Sequence, residues 1–427
     1  LHKEYRRQRQ MCIRDRWYDA EKIKLSRDRI DRLDYFNDVT VETPDVAGKT
    51  DQVDVNIGVT EKPTGNIMLG AGFSSADKLS LSGGVNQANA FGSGNTVGVN
   101  VNTSRLNRTI ALSSTNPYFT DDGISRSYEV FLRTTRPPTI NTGDYRIRTT
   151  GANIKFGVPF TEFDTVFFGV GVERTEVQTY TGVTNYNDSP EVYKRYVDSI
   201  NNVQNDASNP NSAFSQGVHN ASTTGLPLTA AWQRDNRDSA LVPTRGRYQR
   251  ANFEFSPAGD ANYYRATYQH QYFKPLFTNV TLALNGEINY GKGLGGKNYP
   301  IFKNFYGGGI GSVRGYESSS LGPKAGNGDP LGGSARIIMN AELQLPFPGS
   351  GIDRSLRWFT FVDAGNVYAD GFGGGGLKAS AGVGLSWVSP IGPLKLSFGK
   401  ALNATTSGTV QEKDRTQAFQ FQLGTGF

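Results

Sequence analysis

Cysteine and methionine are nearly missing from this 427-residue chain, which has one Cys and three Met. The single thiol, Cys12, lies within residues 1–16, so no disulfide framework and no dithiol chemistry are available. Histidine is as scarce. His2, His219 and His270 are far apart, and no spacing with Asp, Glu or Cys suggests a metal site or a catalytic triad. No catalytic residue, metal or cofactor is therefore expected. No apolar run approaches the roughly 18 residues that a membrane-crossing helix needs. Mean hydropathy is −0.47. These absences exclude helical spans but not strand spans, because a barrel strand needs only about 10 residues that alternate between lipid and lumen. Glycine is in excess: 51 residues, about 12% against a usual value of about 7%. Aromatics are plentiful, with 20 Tyr and 25 Phe.

The net charge of +6 misleads. Residues 1–16 hold six Lys/Arg against two Asp/Glu, leaving +2 for the rest of the chain. A basic run can bind nucleic acid, but no basic helix and no zinc spacing follows, so no nucleic-acid partner is expected. The remaining readings of residues 1–16 are a solvated helix end or a foreign segment, and the second fits better. No secretory signal is visible, so an exported chain is expected to begin further upstream.

Residues 17–65 read as a small αββ unit. Ile23, Ile30 and Leu33 recur at helical spacing around a charged helix over residues 26–33. Alternating strands are expected over residues 36–42 and 53–59. From Asn66 onward the pattern is strand after strand. Ile337, Met339, Ala341, Leu343 and Leu345 alternate with Arg336, Ile338, Asn340, Glu342 and Gln344. Residues 280–289, 377–387 and 419–427 alternate in the same way. A lipid-facing wall around a wet lumen requires this period, although a soluble sandwich also alternates. The turns favour the barrel. Pro117, Pro159, Pro243, Pro275, Pro346 and Pro390 mark short turns, and long Gly/Asn/Ser/Asp-rich connections lie between them. The expected fold is mainly β: a 16-stranded antiparallel transmembrane barrel over residues 66–427, behind a small α+β domain. Residues 189–200 read as a helix inside one long loop, with Ser189 as N-cap and Pro190 as first residue.

The other long loop, residues 292–332, is dense in glycine and carries Arg314 near its centre. Two nucleotide readings of it fail. Gly291-Lys292-Gly293-Leu294-Gly295-Gly296-Lys297-Asn298 puts Asn298 where a phosphate-cradling loop needs Ser or Thr, and no helix follows. The glycines of residues 307–315 do not complete the dinucleotide fingerprint. Arg314 is then either a solvated surface arginine or a buried one that requires a carboxylate. Glu342 is on the polar face of its strand, and Phe361 and Asp363 share one face of theirs.

Val313-Arg314-Gly315-Tyr316 inside a long loop resembles the signature of the outer-membrane assembly and two-partner secretion barrels. Residues 291–297, 302–309, 318–324, 361–366, 389–393 and 32–36 are similar to the assembly branch of that family. The resemblance covers nearly all of residues 17–427. Residues 17–65 resemble the end of the last POTRA domain, with Asp34 where the family usually has glycine. The earlier POTRA domains are not in this sequence, and residues 1–16 do not resemble the family.

The resemblance implies that Arg314 folds into the lumen to meet Asp363 and Glu342 beside Phe361. It also implies a weak seam between the first and last barrel strands, about residues 66–75 and 418–427. Gly70, Gly72 and Phe73 would lie on one side and Gly424, Gly426 and Phe427 on the other. Glycines weaken a strand interior, and a weakly paired edge can template an incoming strand. Ordinary closure with small lumen-facing residues is the other reading. The implied role is folding and inserting β-barrel proteins into the outer membrane of a Gram-negative bacterium, without enzymatic chemistry. The implied partners are nascent barrel proteins, accessory lipoproteins, periplasmic chaperones met through the missing POTRA domains, and outer-membrane lipid. The ending in Phe427 resembles the recognition signal of barrel clients. A polypeptide-exporting barrel is the alternative, and the POTRA-like arm and plugging loop disfavour a passive pore.

Overall fold

A computed structural model describes residues 18–31, 36–49, 52–120, 122–136, 143–161, 163–240, 242–277, 279–349, 355–389 and 392–424. Residues 1–16, Leu33, Asp34, Gly426 and Phe427 thus lie outside the described residues.

The leading unit consists of helix α1 (Ala20–Asp31) and the antiparallel strands β1 (Phe36–Glu42) and β2 (Asn56–Glu61). Val39 is buried beneath the helix edge, where Arg27 Nε donates to its carbonyl at 3.1 Å. Two expectations shift. The helix starts earlier than residue 26. The second strand begins at Asn56, because Val53 is taken up in an isolated bridge to Asp45.

The rest is a barrel. Its strands are β3 (Gly65–Ser74), β4 (Lys78–Gln87), β5 (Thr96–Thr103), β6 (Asn107–Asn116), β7 (Ser125–Thr135), β8 (Tyr145–Pro159), β9 (Asp164–Thr181), β10 (Gly217–Gly225), β11 (Leu228–Asp235), β12 (Gly246–Ser256), β13 (Tyr263–Phe277) and β14 (Val280–Gly293). After a short loop strand β15 (Gly315–Tyr316) come β16 (Ala335–Pro346), β17 (Leu356–Tyr368), β18 (Lys378–Ser389), β19 (Gly392–Ala401), the short β20 (Thr416–Gln417) and β21 (Phe419–Leu423). Each wall strand pairs antiparallel with its neighbour, and β21 closes on β3. β10 and β11 continue one register along β9, from Gly217 opposite Thr181 to Arg234 opposite Asp164. They are one stave broken at Leu226-Pro227, where proline has no N–H to give the ladder. Counted so, the described residues form sixteen staves.

The burial pattern is that of a wall in lipid. On β17, Phe359, Phe361, Asp363 and Val367 are buried inside, while Trp358 and Val362 face outward. On β9, Thr175, Val177 and Thr179 are buried, and Phe168, Val170 and Val172 are exposed. An exposed apolar band around a polar, filled interior matches a membrane barrel. The three longest connections, residues 182–216, 294–334 and 402–418, lie at one end, and connections at the other, short-turn end have at most ten residues. Because β3 follows the arm directly, the arm joins the short-turn end.

Within the loop after β9, helix α2 runs Glu191–Asn201. It starts one residue later than expected, with Pro190 in the capping position. Ser189 does not cap it. Its hydroxyl accepts from Tyr180 N–H at 2.8 Å and donates to the Asp144 carbonyl, which ties the loop to the wall. Tyr193 and Val197 of α2 bury against Tyr145, Ile147, Val177 and Ile301, so helix and glycine-rich loop together fill the loop end of the lumen. Tyr145 and Tyr193 stack at 3.9 Å between centroids.

Candidate functional site

Two places bear on function: the loop inside the lumen and the seam where the barrel closes. The loop between β14 and β16 turns inward. Glycine permits this at points where no side chain fits. Gly308 (φ 103°) and Gly322 (φ 95°) have left-handed backbones, and a Cβ on Gly322 would lie 2.8 Å from the Val367 carbonyl. The tip carries Val313, Arg314 and Tyr316, all buried, and rests on a floor of wall glycines. A Cβ on Gly382 would meet the Phe361 ring at 2.7 Å, one on Gly365 would meet Val313 at 3.0 Å, and one on Gly399 would meet Gly315 N at 3.1 Å.

Arg314 is 2% exposed and Asp363 is fully buried. Asp363 accepts Arg314 Nε at 2.7 Å, Nη2 at 2.6 Å and the Arg314 backbone N–H at 3.0 Å. Arg314 Nη1 donates to Glu342 Oε1 at 2.5 Å. The guanidinium lies over Phe361 at 3.6 Å, within cation–π range. The structure thus gathers Arg314, Asp363, Glu342 and Phe361 at one point. Lys395 joins them, reaching the same Glu342 oxygen at 2.9 Å. Two cations and two carboxylates balance, which a buried cluster needs. Sequence reasoning missed Lys395, although its alternation with Leu394 and Leu396 placed it on the lumen face.

Gly315 and Tyr316 form β15, paired with Gln417 and Thr416 of β20. Gln420 of β21 donates to the Tyr316 carbonyl at 2.6 Å, and Tyr316 Oη donates to Asn403 Oδ1 at 3.0 Å. The loop tip therefore holds the closing strand directly.

Two further anchors were not foreseen. Lys303, at the start of the loop, reaches Glu173 of β9 and Glu254 of β12, each at 2.9 Å. Lys324 bonds the Lys413 carbonyl at 2.6 Å and reaches Asp414 at 3.4 Å. Asp414 also takes Lys378 at 2.6 Å and Thr405 N–H at 2.8 Å. Burial pushes the Asp414 carboxyl up, but the Lys378 and Thr405 hydrogen bonds and the Lys378 and Lys324 charges outweigh this and hold it below the ordinary value. Since its folded value is depressed, its stabilising effect is complete above the unfolded value of about 3.9 and fades as pH falls through the folded one. Asp414→Asn is therefore expected to speed hydrogen exchange of residues 402–418 at pH 7, and to make no difference at a pH below the folded value. An equal difference at both pH values would contradict the pinning.

At the seam, β3 pairs with β4 along its whole length, Gly65 opposite Gln87 to Ser74 opposite Lys78. Toward β21 the described ladder has two pairs, Ser74–Gln422 and Phe73–Leu423. Ser75 N–H donates to the Phe421 carbonyl at 3.0 Å, and the Phe73 and Phe421 rings lie 5.5 Å apart. Gly424 (φ 88°) then bends the chain while staying against β3. A Cβ there would sit 2.4 Å from the Ala71 carbonyl, so only glycine fits this approach. Gly70 and Gly72 are on the lumen face of β3. Below them Ile67 and Leu69 stand 73% and 86% exposed beside the edge. Of the seam residues named above, Gly426 and Phe427 lie outside the described residues.

A sequence profile described as the Omp85 superfamily domain matches residues 89–427. The chain belongs to the Omp85 superfamily. A second profile, POTRA, described as the surface antigen variable number repeat, matches residues 6–62. The Omp85 chain is similar to the outer membrane protein assembly factor BamA of Neisseria meningitidis serogroup B, at 36% identity over 96% of this chain and 53% of that protein. It is also similar to BamA of Nitratidesulfovibrio vulgaris, at 27% identity over 98% of this chain and 49% of that protein. The chain thus spans about half the length of the curated relatives it matches. Its structure is similar to the crystal structure of Haemophilus ducreyi BamA lacking POTRA domains 1–3, with a TM-score of 0.82 and 27% identity, covering 96% of this chain and 79% of that one. An Omp85 barrel with a POTRA arm and BamA relatives places the chain in the outer membrane of a Gram-negative cell, POTRA side in the periplasm.

Proposed function

We propose that this Omp85 chain is the barrel and last POTRA domain of an assembly factor. It would fold and insert β-barrel proteins into the outer membrane by templating their strands at the β3–β21 seam. The observation that carries the reading is the shortness of that ladder among the described residues. Among the described residues two register pairs hold one end of β3 and Gly424 packs on Ala71 and Gly72, while residues 65–68 have no partner on β21. Backbone groups in lipid must be satisfied, so an incoming strand that pairs with this edge is favoured over one left alone. Nascent barrel proteins are the substrates in this reading. Accessory lipoproteins of the assembly complex and periplasmic chaperones are its further partners in this reading, and lipid is the receiving phase. No covalent step is part of it. Export through the lumen would first require the Lys303, Arg314 and Lys324 anchors to release.

Fusion of this chain to the POTRA domains of the Haemophilus ducreyi relative is expected to restore outer-membrane barrel proteins in cells depleted of their own assembly factor. Membrane-inserted fusion at normal level with no recovery of those proteins would overturn the proposal.

A further inference from the structure

The outward face of β6, β8 and β9 changes character at the loop end. On β6 the outward residues run Leu112, Ile110, Arg108. On β8 they run Ile154, Ala152, Thr150, Arg148, Arg146. On β9 they run Val170, Val172, Arg174. Leu112, Ile154 and Val172 belong to the exposed apolar band, so each arginine stands at or just past its upper edge. Arg108, Arg148 and Arg174 are exposed and Arg146 half-buried. The register sets them side by side. Arg108 faces Thr134 of β7, Thr134 faces Arg148, Arg148 faces Glu176, and Thr150 faces Arg174. With strands about 4.8 Å apart, Arg108 and Arg148 stand about 10 Å apart across the small Thr134. At the loop end of these strands Glu176 is the one acid on an outward position. Among the described residues none of the four arginines has a carboxylate within ion-pair distance. At the loop end of other strands, outward Tyr264, Tyr290, Ala364 and Ala379 are uncharged, and Lys292 and Lys400 are isolated cations.

We propose that Arg108, Arg146, Arg148 and Arg174 form a binding strip for phosphate-bearing lipid headgroups of the outer leaflet. The charge, the height and the shape agree. Guanidinium forks bind phosphate oxygens bidentately. Headgroup phosphates lie just above the acyl chains that the apolar band contacts. Basic side chains at an anionic leaflet each add about a fivefold gain in binding. The strip concerns the wall's contact with lipid, not strand exchange, so it stands or falls separately from the assembly reading.

Native mass spectrometry of the purified chain in detergent tests this, with lipid A and its dephosphorylated counterpart as probes. The parent is expected to hold lipid A at least about tenfold more tightly than the dephosphorylated lipid, and less so as salt rises. Arg108→Gln/Arg146→Gln/Arg148→Gln/Arg174→Gln is expected to lose at least about tenfold in lipid A affinity. Lys292→Gln/Lys400→Gln is expected to bind as the parent does. If the quadruple variant does not fold, Arg108→Gln/Arg174→Gln serves, with a loss of at least about fivefold. Equal binding of the two lipids by the parent, or undiminished lipid A binding by the folded variants, would overturn the strip.

Discussion

Arg314→Glu is expected to lower the stability of the folded barrel by about 3–5 kcal/mol, the usual range for breaking a buried ion pair. The substitution would place a third carboxylate beside Asp363 and Glu342, both of which now bond the guanidinium. It also removes the cation from the Phe361 ring and leaves Lys395 as the single neutralising charge. The midpoint of urea unfolding in detergent, read by heat-modifiable gel mobility, measures the loss. Arg314→Lys keeps the charge without the fork and should fall between the two. Adding Asp363→Arg to Arg314→Glu returns a cation to the site and should recover part of the loss. Recovery is incomplete because Asp363 also accepts the backbone N–H of residue 314. Strict additivity of the two changes in a double-mutant cycle would show that the pair is not energetically coupled.

The second large effect concerns the seam. Ser74 and Gln422 are register partners. Antiparallel partners have Cα atoms about 4.5–5.5 Å apart, within the span a disulfide bridges. Ser74→Cys/Gln422→Cys, in a Cys12→Ser background, should cross-link in the oxidising environment of the cell envelope. In the POTRA-fused protein, cells depending on it are expected to stop growing and to lose outer-membrane barrel proteins, with recovery on adding reductant. Normal growth with the cross-link complete on a non-reducing gel would remove the seam from the proposed mechanism. Each single-cysteine variant should grow normally.

The wall was legible because its signal is local. Ile337, Met339 and Ala341 alternating with Arg336, Asn340 and Glu342 state which side faces lipid without reference to any other strand. Arg314 was legible because a glycine-rich loop with one cation and two lumen-facing acids leaves few arrangements. Lys303 was not, since Glu173 lies 130 positions away and becomes its neighbour only when the barrel closes. The β15–β20 pairing escaped for the same reason: two-residue strands have no period. Ser189 has the residue type of a helix cap, yet the wall's Tyr180 N–H and Asp144 carbonyl outcompete the helix for its hydroxyl. The extent of seam pairing depends on how far β21 runs before Gly424 bends, and composition alone does not set that distance.

The attachments of β21 are lopsided. On one flank it has five register partners on β19, from Phe398–Phe419 to Leu394–Leu423, and the loop strand adds Gln420–Tyr316. On the other flank the two described pairs with β3 amount to only a few hydrogen bonds, each worth about 0.5–1.5 kcal/mol net. Force applied across the closure would therefore not divide evenly. β21 is a door jamb tied to the frame by β19 and the loop, and β3 is the facing jamb, tied along its whole length to β4. Any parting would open the short ladder between them, leaving β21 in register with the lumen cluster around Arg314 and β3 in register with β4.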